Sequence, residues 1–336
     1  MSARRPFATL KSQHGAALIS AMLVVTLVAT LASAALWQQW RQVEVESAER
    51  HRTQSAWLLN GAMDWTRLIL REDALSANAT TAGAGRSNEA TDHLAEPWAL
   101  PLQEAKLSSF LAQDKQLREG DPEVFLSGQV VDAQSRLNLA NWVEQGKLSQ
   151  PMQLSLTRLF NLLGLPPEEL QVMGQEWLAA WSQSSPEAAL LPQNVAQLQW
   201  LGLSAQSAER LSPFVTVLSE ASPVNLNTAS VEVIYASVQG LDMASAKQFV
   251  ELRTRTHFEN LGDAGRALGG RNLEPRWHSV GSRFFEVWGR LRMEERSQEE
   301  KALMLRNGSQ VSFVWRRKNA QLFGKTAPDS LQSPQP

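Results

Sequence analysis

One uninterrupted apolar stretch near the N-terminus constrains this chain more than any other feature of its sequence. Between Lys11 and Arg41 there is no Asp, Glu, Lys or Arg, and residues 16–36 are mostly aliphatic or small. A helix of that length rises about 30 Å, which is the thickness of the hydrocarbon layer of a membrane. Because Arg4, Arg5 and Lys11 precede it, we expect the first residues to stay in the cytoplasm and the remainder to cross the membrane.

Three interpretations of this stretch stay open. A cleaved secretory signal fits the small-x-small pattern of residues 32–34 and would release a product that begins at Ala35, but the apolar region exceeds the roughly 7–15 residues usual for a signal. An uncleaved single-span anchor is the second interpretation. The third is a short basic leader, containing Lys11, that ends at Gly15 and is cut before Ala16. In this last respect the segment resembles the leader of type IV pilin-like proteins.

The fifth residue after Gly15 departs from the pilin pattern. Pilins usually carry Glu at this position, where the present chain has Ser20. A carboxylate inside a membrane helix is unfavourable unless it is paired, so its absence removes a charge that would find a specific partner. The K-type minor pseudopilins of type II secretion also lack this Glu. In this respect the chain resembles them.

Composition argues against several classes of function. The absence of Cys excludes disulfides, zinc-thiolate sites and thiol nucleophiles, and a formal net charge of -2 gives no overall basic field for nucleic acid. The five His are scattered without the spacing of a metal-ligand pair, and no Gly-x-Ser-x-Gly elbow occurs. We therefore expect a protein that is not an enzyme.

The helical pattern continues beyond the apolar stretch. Four residues spaced four apart form one stripe along a helix, namely Trp57, Gly61, Trp65 and Ile69. We interpret this stripe as a core face. Since no Pro interrupts residues 16–73, a single helix is predicted there, with residues 16–40 as its membrane or assembly part. Residues 75–96, rich in Ala, Thr, Gly and Ser, predict a mobile loop.

The next segment carries a more specific resemblance. Residues 123–139 alternate in polarity, which predicts a pair of strands with a turn at residues 132–135. Residues 128–141 read GQVVDAQSRLNLAN. This passage is similar to the G-x-V-x-D-x-x-x-R-x-N-L-N passage that the K-type pseudopilins carry where their sheet begins.

A Leu-rich and Trp-rich region follows and predicts helices. Residues 152–182 supply apolar faces, with a second helix starting at Pro166–Pro167, and residues 194–218 add further helix with Ser204 as an N-cap. Relatives commonly bind calcium in the loop after the second helix. Calcium prefers six to eight oxygen ligands, and residues 181–193 contain a single acid, Glu187. Calcium is therefore doubtful here, and we expect no cofactor.

The sharpest motif of the distal half is PVNLNTA at residues 223–229, followed by two predicted helices joined at Gly240. It resembles a helix-hairpin-helix unit, in which Asn227 or Thr228 would be the N-cap of the first helix. It is also similar to the N-x-N-T-A passage of the K-type pseudopilins. Hairpins that bind DNA generally have Gly where this chain has Asp242, an acid where a phosphate would lie. We therefore expect no nucleic-acid partner and keep a membrane-anchored DNA-binding or uptake protein as the alternative.

The C-terminal part predicts three strands, within residues 284–291, 302–305 and 311–315. Asn307-Gly308 is a hairpin signal between the last two. The basic residues 316–318 suggest a solvated strand edge, and the Pro-containing residues 326–336 suggest a disordered tail.

Together these features predict an α+β protein with a pilin-like long N-terminal helix on an antiparallel sheet and a large helical insert. The expected segments are a leader (1–15), the helix (16–73), a first pilin-like part (74–140), the insert (141–280), C-terminal strands (281–318) and a tail (319–336). The resemblance implies a bitopic inner-membrane protein with a periplasmic domain, at the tip of the type II secretion pseudopilus. Its implied partners are other minor pseudopilins, the major pseudopilin and prepilin peptidase.

Overall fold

The computed structural model describes residues 14–82, 91–107, 123–183, 186–293 and 296–322. Helix α1 spans His14–Ala82, so residues 75–82, expected in a loop, are helical. The chain divides into two compact units, Met1–Trp57 and Leu58–Pro336. The remainder of the expected loop, residues 83–90, and the expected tail at 326–336 lie outside the described residues.

In the first unit, the apolar residues of α1 are exposed along the whole membrane-length stretch, as at Leu23 and Val28. Within the part of the chain that the structure describes, α1 is the one helix long and apolar enough to cross a membrane. Its hydroxyl groups donate to carbonyl oxygens of the preceding turn, at Ser20, Thr26, Thr30 and Ser33. Each of these four hydroxyl groups is thus satisfied within the helix, as an apolar surrounding requires.

The second unit contains the remaining elements. Its helices are α2 (Gln150–Leu163), α3 (Pro167–Ser182), α4 (Ala205–Leu211), α5 (Val231–Ser237), α6 (Met243–Arg255) and α7 (Leu261–Ala267). Its strands are β1 (Leu102–Lys106), β2 (Val124–Asp132), β3 (Leu137–Asn138), β4 (Val143–Glu144), β5 (Lys147–Leu148), β6 (Val215–Thr216), β7 (Val224–Asn225), β8 (His278–Ser279), β9 (Phe284–Met293), β10 (Arg296–Asn307) and β11 (Gln310–Leu322).

Five strands form an antiparallel sheet in the order β1-β2-β9-β10-β11. The three predicted C-terminal strands are confirmed and are longer than predicted. The hairpin at Asn307-Gly308 is also confirmed, because Asn307 pairs with Gln310 and Gly308 has a φ of +58° that favours glycine. The α+β fold with an antiparallel sheet is therefore as the sequence indicated.

The predicted strand pair within residues 123–139 is wrong. Strand β2 pairs with β1 and β9, whereas β3 pairs in parallel with β6 of the insert. The turn between β2 and β3 is real, and the Asp132 carboxylate accepts a 2.7 Å hydrogen bond from the Gln134 N–H within it. Instead of returning along β2, the chain leaves the sheet at this turn and enters the insert.

The part of α1 within the second unit packs on the sheet through Leu59, Met63 and Leu70, all fully buried. A side chain at Gly289 of β9 would meet the Met63 methyl at 3.1 Å, so glycine permits this close approach. The interpretation of the Trp stripe as a core face is wrong for its two tryptophans, because Trp57 and Trp65 are 73% and 54% exposed, whereas Ile69 packs against the core. Spacing along a helix identifies an apolar stripe without showing which stripe packs inward.

The helical insert has its own large core. Trp142 and Trp177 lie at its centre, with ring centroids 5.9 Å apart, and both are buried. The predicted start of α3 at Pro167 is confirmed, and the predicted N-cap at Ser204 is confirmed by a 3.2 Å hydrogen bond from the Ser207 N–H to the Ser204 hydroxyl.

The expectation of a solvated edge at residues 316–318 is confirmed, because β11 is an edge strand and all three residues are exposed, but the first of them also binds groups of its own chain. Arg316 donates 2.5 Å hydrogen bonds to the Glu300 carboxylate and to the Asn60 side-chain oxygen of α1. Glu300 is fully buried, so Arg316 neutralises a carboxylate that lies between the sheet and the helix.

Candidate functional site

The residues predicted for leader processing lie at the start of α1 or before it. Lys11 is outside the described residues, and Gly15 and Ala16 have helical backbone in the first turn. Ser20 is exposed, and its hydroxyl donates a 3.0 Å hydrogen bond to the Ala17 carbonyl. Cleavage between Gly15 and Ala16 stays a prediction.

The two motifs that carry the family resemblance meet at the buried carboxylate of Asp132. One of its oxygens accepts hydrogen bonds from the Asn225 amide (3.0 Å), the Thr228 hydroxyl (2.5 Å) and the Ser282 hydroxyl (2.6 Å). Burial raises the pKa of Asp132 above its ordinary value, whereas these hydrogen bonds act in the opposite direction. Asp132 thereby connects the end of β2 to the insert and to the segment that returns to the sheet.

The polar side chains of the N-x-N-T-A motif bind groups that are remote in sequence. They do not form the helix cap that we predicted. The N-cap of α5 is Ser230, whose hydroxyl accepts from the Val233 N–H at 3.3 Å. Asn227 instead donates to the carbonyls of Phe258 (3.0 Å) and Val280 (3.2 Å). The prediction of Asn227 or Thr228 as the cap is therefore wrong, because both are held by groups remote in sequence.

A second part of the junction is a buried ion pair between Asp92 and Arg306. The Arg306 guanidinium contacts both oxygens of Asp92, at 2.6 and 2.5 Å, and donates a 2.7 Å hydrogen bond to Asp73. The second Asp92 oxygen also accepts from the Ser282 N–H at 2.7 Å. Burial raises the pKa of Asp92 to about 7, against the attraction of Arg306. We call the set Asp92, Asp132, Asn225, Ser282 and Arg306 the junction.

An acidic cluster adjoins the junction and invites a test for a metal. Carboxylate oxygens of Asp73, Asp92 and Glu96 all lie within 4.8 Å of one another. Two of the three already bind Arg306, and burial with the two neighbouring carboxylates raises the pKa of Glu96 to about 8. A guanidinium therefore supplies the positive charge here, and three acids fall short of the six to eight oxygens that calcium prefers.

The loop considered for calcium adds little to this conclusion. Residues 184–185 lie outside the described residues, and Glu187 is the single acid of residues 181–193. The expectation that calcium is doubtful at this loop stays a prediction.

The hairpin between α5 and α6 has the shape of a helix-hairpin-helix turn, with Gly240 at a φ of +69°. Its carbonyls at Gln239 and Gly240 accept 2.8 Å hydrogen bonds from Arg271 of the same chain. The N-terminus of α6 is capped by the Asp242 carboxylate, which accepts from the Ser245 N–H at 2.8 Å and has a lowered pKa because of this bond. A carboxylate thus occupies the place where a nucleic-acid phosphate would bind.

A second arginine near the hairpin is also held within the fold. Arg253 is buried and donates a 2.6 Å hydrogen bond to the Leu226 carbonyl. Burial lowers its pKa to about 10. The hairpin is therefore a packing unit of the insert, which argues against the DNA-binding alternative.

Sequence reasoning identified the two motifs but missed Asp92, Ser282 and Arg306. Asp92 lies in a segment of small and polar residues, and Arg306 belongs to a strand whose other charged residues include exposed ones. One indication of these three residues was present in the sequence, namely that each lies in a predicted loop or near the end of a predicted strand. Pairing across 214 residues of sequence cannot be read from either local pattern.

Comparisons with known proteins agree with the motifs. A family model described as type II secretion system protein K matches residues 224–280, the region from β7 through β8. The chain is 27% identical over 310 residues to type II secretion system protein K of Pseudomonas aeruginosa, covering 86% of this chain and 87% of that protein. It is 24% identical over 278 residues to the protein of the same name from Klebsiella pneumoniae, covering 74% and 78%.

The fold is similar to a chain in the crystal structure of the GspK-GspI-GspJ complex from the type 2 secretion system of enterotoxigenic Escherichia coli. The TM-score is 0.59 at 16% identity, and the match covers 81% of this chain and 98% of that chain. The resemblance to K-type minor pseudopilins of type II secretion, stated above from the sequence motifs, is thereby confirmed.

Proposed function

We propose that this chain, similar to type II secretion system protein K over most of its length, lies at the tip of the secretion pseudopilus. There it would help to start pseudopilus assembly and to export folded proteins across the outer membrane. Its role is structural, because the polar groups of the junction are used to hold the sheet and the helical insert together.

The observation that carries this proposal is the uncovered apolar surface of α1. Residues 17–36 expose Leu, Ile, Val and Met side chains along their length, and Trp57 and Trp65 are 73% and 54% exposed. Apolar surface of this extent is stabilised when lipid or other helices cover it. The solved relative, which forms a complex with two further proteins of its secretion system, supports other minor pseudopilins as the covering partners.

The proposal includes insertion of α1 in the inner membrane and a periplasmic location for the rest of the chain, and the same apolar surface supports a membrane anchor. The basic residues before α1 would remain in the cytoplasm, and prepilin peptidase would cut between Gly15 and Ala16, leaving the apolar helix on the mature protein. With Ser20 at the fifth mature position, the helix lacks the carboxylate that would seek a partner within the filament. A subunit at the tip has neighbours on one side only, and this suits such a helix.

The experiment that tests this proposal is the intact mass of protein recovered from the membrane of a secreting strain. We expect the mature chain to begin at Ala16, and Gly15→Val to retain the uncut leader. A mature chain that begins at Ala35 would show a cleaved secretory signal and would contradict the proposal. Retention on DNA at physiological salt would favour the nucleic-acid alternative instead.

A further inference from the structure

The face of the sheet that points away from α1 ends in an open groove. The groove has a volume of about 620 Å³ and lies between the insert and the strands β10 and β11. Trp181 and Leu191 line it from the insert, and Leu303 and Trp315 line it from the sheet. Buried Trp177 forms part of its floor. A few residues of an extended polypeptide fit a space of this size.

The walls of the groove are apolar and exposed. Trp181 and Leu191 are 49% and 41% exposed, and Val314 beside them is 39% exposed. Val314 stands at a register shift in β11, because Trp315 pairs with Leu303 while Phe313 pairs with Met304. Such a bulge disrupts the outer edge of β11, so an extension of the sheet is disfavoured and contacts with side chains are favoured.

Two cations lie beside the groove, on the same face of the sheet. Lys301 lies directly opposite Arg317 in the register of β10 and β11. Each is two residues from a groove residue, Leu303 or Trp315, and therefore shares its face of the sheet. The Arg317 guanidinium also lies 4.9 Å above the Trp315 ring. Like charges directly opposite on two strands are destabilising, so this pair favours an anion between or beside them.

Two of the three carboxylates of this region are paired with arginines outside the groove. Glu286, on the same face, forms a 2.7 Å ion pair with Arg136, and Glu220 in the groove wall forms a 2.7 Å ion pair with Arg283. Glu299, which is buried two residues from Lys301 on the same face, lies 3.9 Å from Arg290, and its Oε1 has no hydrogen-bond partner within the described part of the chain. Among the described residues, no ion pair includes Lys301 or Arg317. Both cations are exposed and therefore available to a partner.

We propose that the groove lined by Trp181, Leu191 and Trp315, together with the two cations beside it, Lys301 and Arg317, binds an acidic segment of a partner protein. The segment carries an apolar side chain that enters the groove and carboxylates that contact Lys301 and Arg317. The opposite charges of segment and groove identify the occupant, because the apolar walls by themselves would accept any apolar chain. The inference is independent of the proposed function, since it depends on this surface alone.

The test uses the full chain in detergent micelles and a fluorescein-labelled decapeptide that alternates Asp with Leu and Phe. We expect saturable binding in fluorescence anisotropy that weakens as salt rises. The double variant Lys301→Glu, Arg317→Glu should weaken binding roughly tenfold, because two exposed ion pairs are lost. The same variant should bind the peptide in which Lys replaces Asp. Lys247→Glu, at an exposed lysine of α6, is the control and should bind like the parent.

Other occupants are distinguished by the same assay. Equal binding of the Asp and Lys peptides to the parent chain would overturn the proposal, because charge would then play no part. Tighter binding of a single-stranded DNA of the same charge would assign the groove to nucleic acid. If the peptide binds only after deletion of residues 323–336, the groove belongs to the chain's own C-terminal segment, and the proposal is wrong. Unchanged thermal unfolding of the double variant confirms that it folds.

Discussion

The junction and the exposed face of α1 are opposite in the kind of side chain that they bury and expose. At the junction, charged and polar groups are buried, and each finds its partner within the chain: Asp92 binds Arg306, and Asp132 binds Asn225. Along α1, apolar groups such as Trp65 are exposed and find no comparable cover. A buried polar group without a partner destabilises the fold. An exposed apolar group can remain in contact with solvent until a binding partner covers it.

The difference separates stability from assembly. Substitutions at the junction should change the free energy of unfolding, because they leave charges or donors buried without partners. Substitutions on the exposed face should leave that free energy nearly unchanged and act on association. The following predictions test this separation, from the largest expected effect to the smallest, with unfolding measured by urea in detergent.

Arg306→Met should give the largest loss of stability, about 3–5 kcal/mol, because it leaves Asp92 buried without its cation. The matched control is Arg283→Met, which breaks the ion pair to Glu220, where both side chains are 48% exposed. That variant should lose less than about 1 kcal/mol. Similar losses for both arginines would contradict the view that the junction carries the stability.

Asp132→Ala should follow, with a loss of about 2–3 kcal/mol, because the donors of Asn225, Thr228 and Ser282 lose their shared acceptor. Amide hydrogen exchange should rise first in residues 224–229, where the motif depends on this carboxylate. Asp132→Asn, which keeps one acceptor oxygen, should show a smaller change. Uniform exchange across the whole sheet would place the effect outside the junction.

Raising the pH from 6.5 to 8 should lower the free energy of unfolding. The pKa values of Asp92 and Glu96 are raised to about 7 and about 8 in the folded chain, so it keeps protons that the unfolded chain has released. With screening by water at Glu96, the loss should be about 1–2 kcal/mol. Below pH 6.5 the lowered pKa values of His93 and His278, each about 4, act in the opposite direction.

The variant Glu96→Gln serves as the control for this pH dependence. The amide oxygen of Gln can still accept the hydrogen bond from the Trp98 indole N–H, which is 2.5 Å long in the parent chain. The decrease of stability between pH 6.5 and 8 should become shallower because one titrating group is gone. If the free energy of unfolding of the variant falls with pH as steeply as that of the parent chain, Glu96 is excluded as a source of the pH dependence.

Trp65→Ala should have the smallest effect on unfolding, less than about 0.5 kcal/mol, because the side chain is largely exposed. Met63→Ala, two residues away on the buried face of α1, should lose about 2–5 kcal/mol. In co-purification with the other minor pseudopilins, Trp65→Ala should reduce recovery of the complex. Full recovery would show that this face is not where partners bind.

Particular elements show which parts of the fold could be predicted from the sequence. The hairpin at Asn307-Gly308 and the cap at Ser204 were predicted because turn and cap chemistry act within a few residues. The two tryptophans of the stripe were assigned to the core wrongly, because α1 has two apolar faces and its pattern does not say which one meets the sheet. The motif residues Asn227 and Thr228 were recognised, but their roles depend on groups far away in the chain.

The sequence by itself determined the membrane-length helix, the approximate positions of the helical insert and the C-terminal strands, and the resemblance to K-type pseudopilins. These features depend on local hydrophobicity, propensity and turn chemistry, which neighbouring residues determine. Only the tertiary structure decided that Asp132 joins the two motifs, that Arg306 neutralises Asp92, and that Arg271 closes the hairpin. The physical reason is that these bonds join residues far apart in sequence, and the fold must bring them together before burial can make them strong.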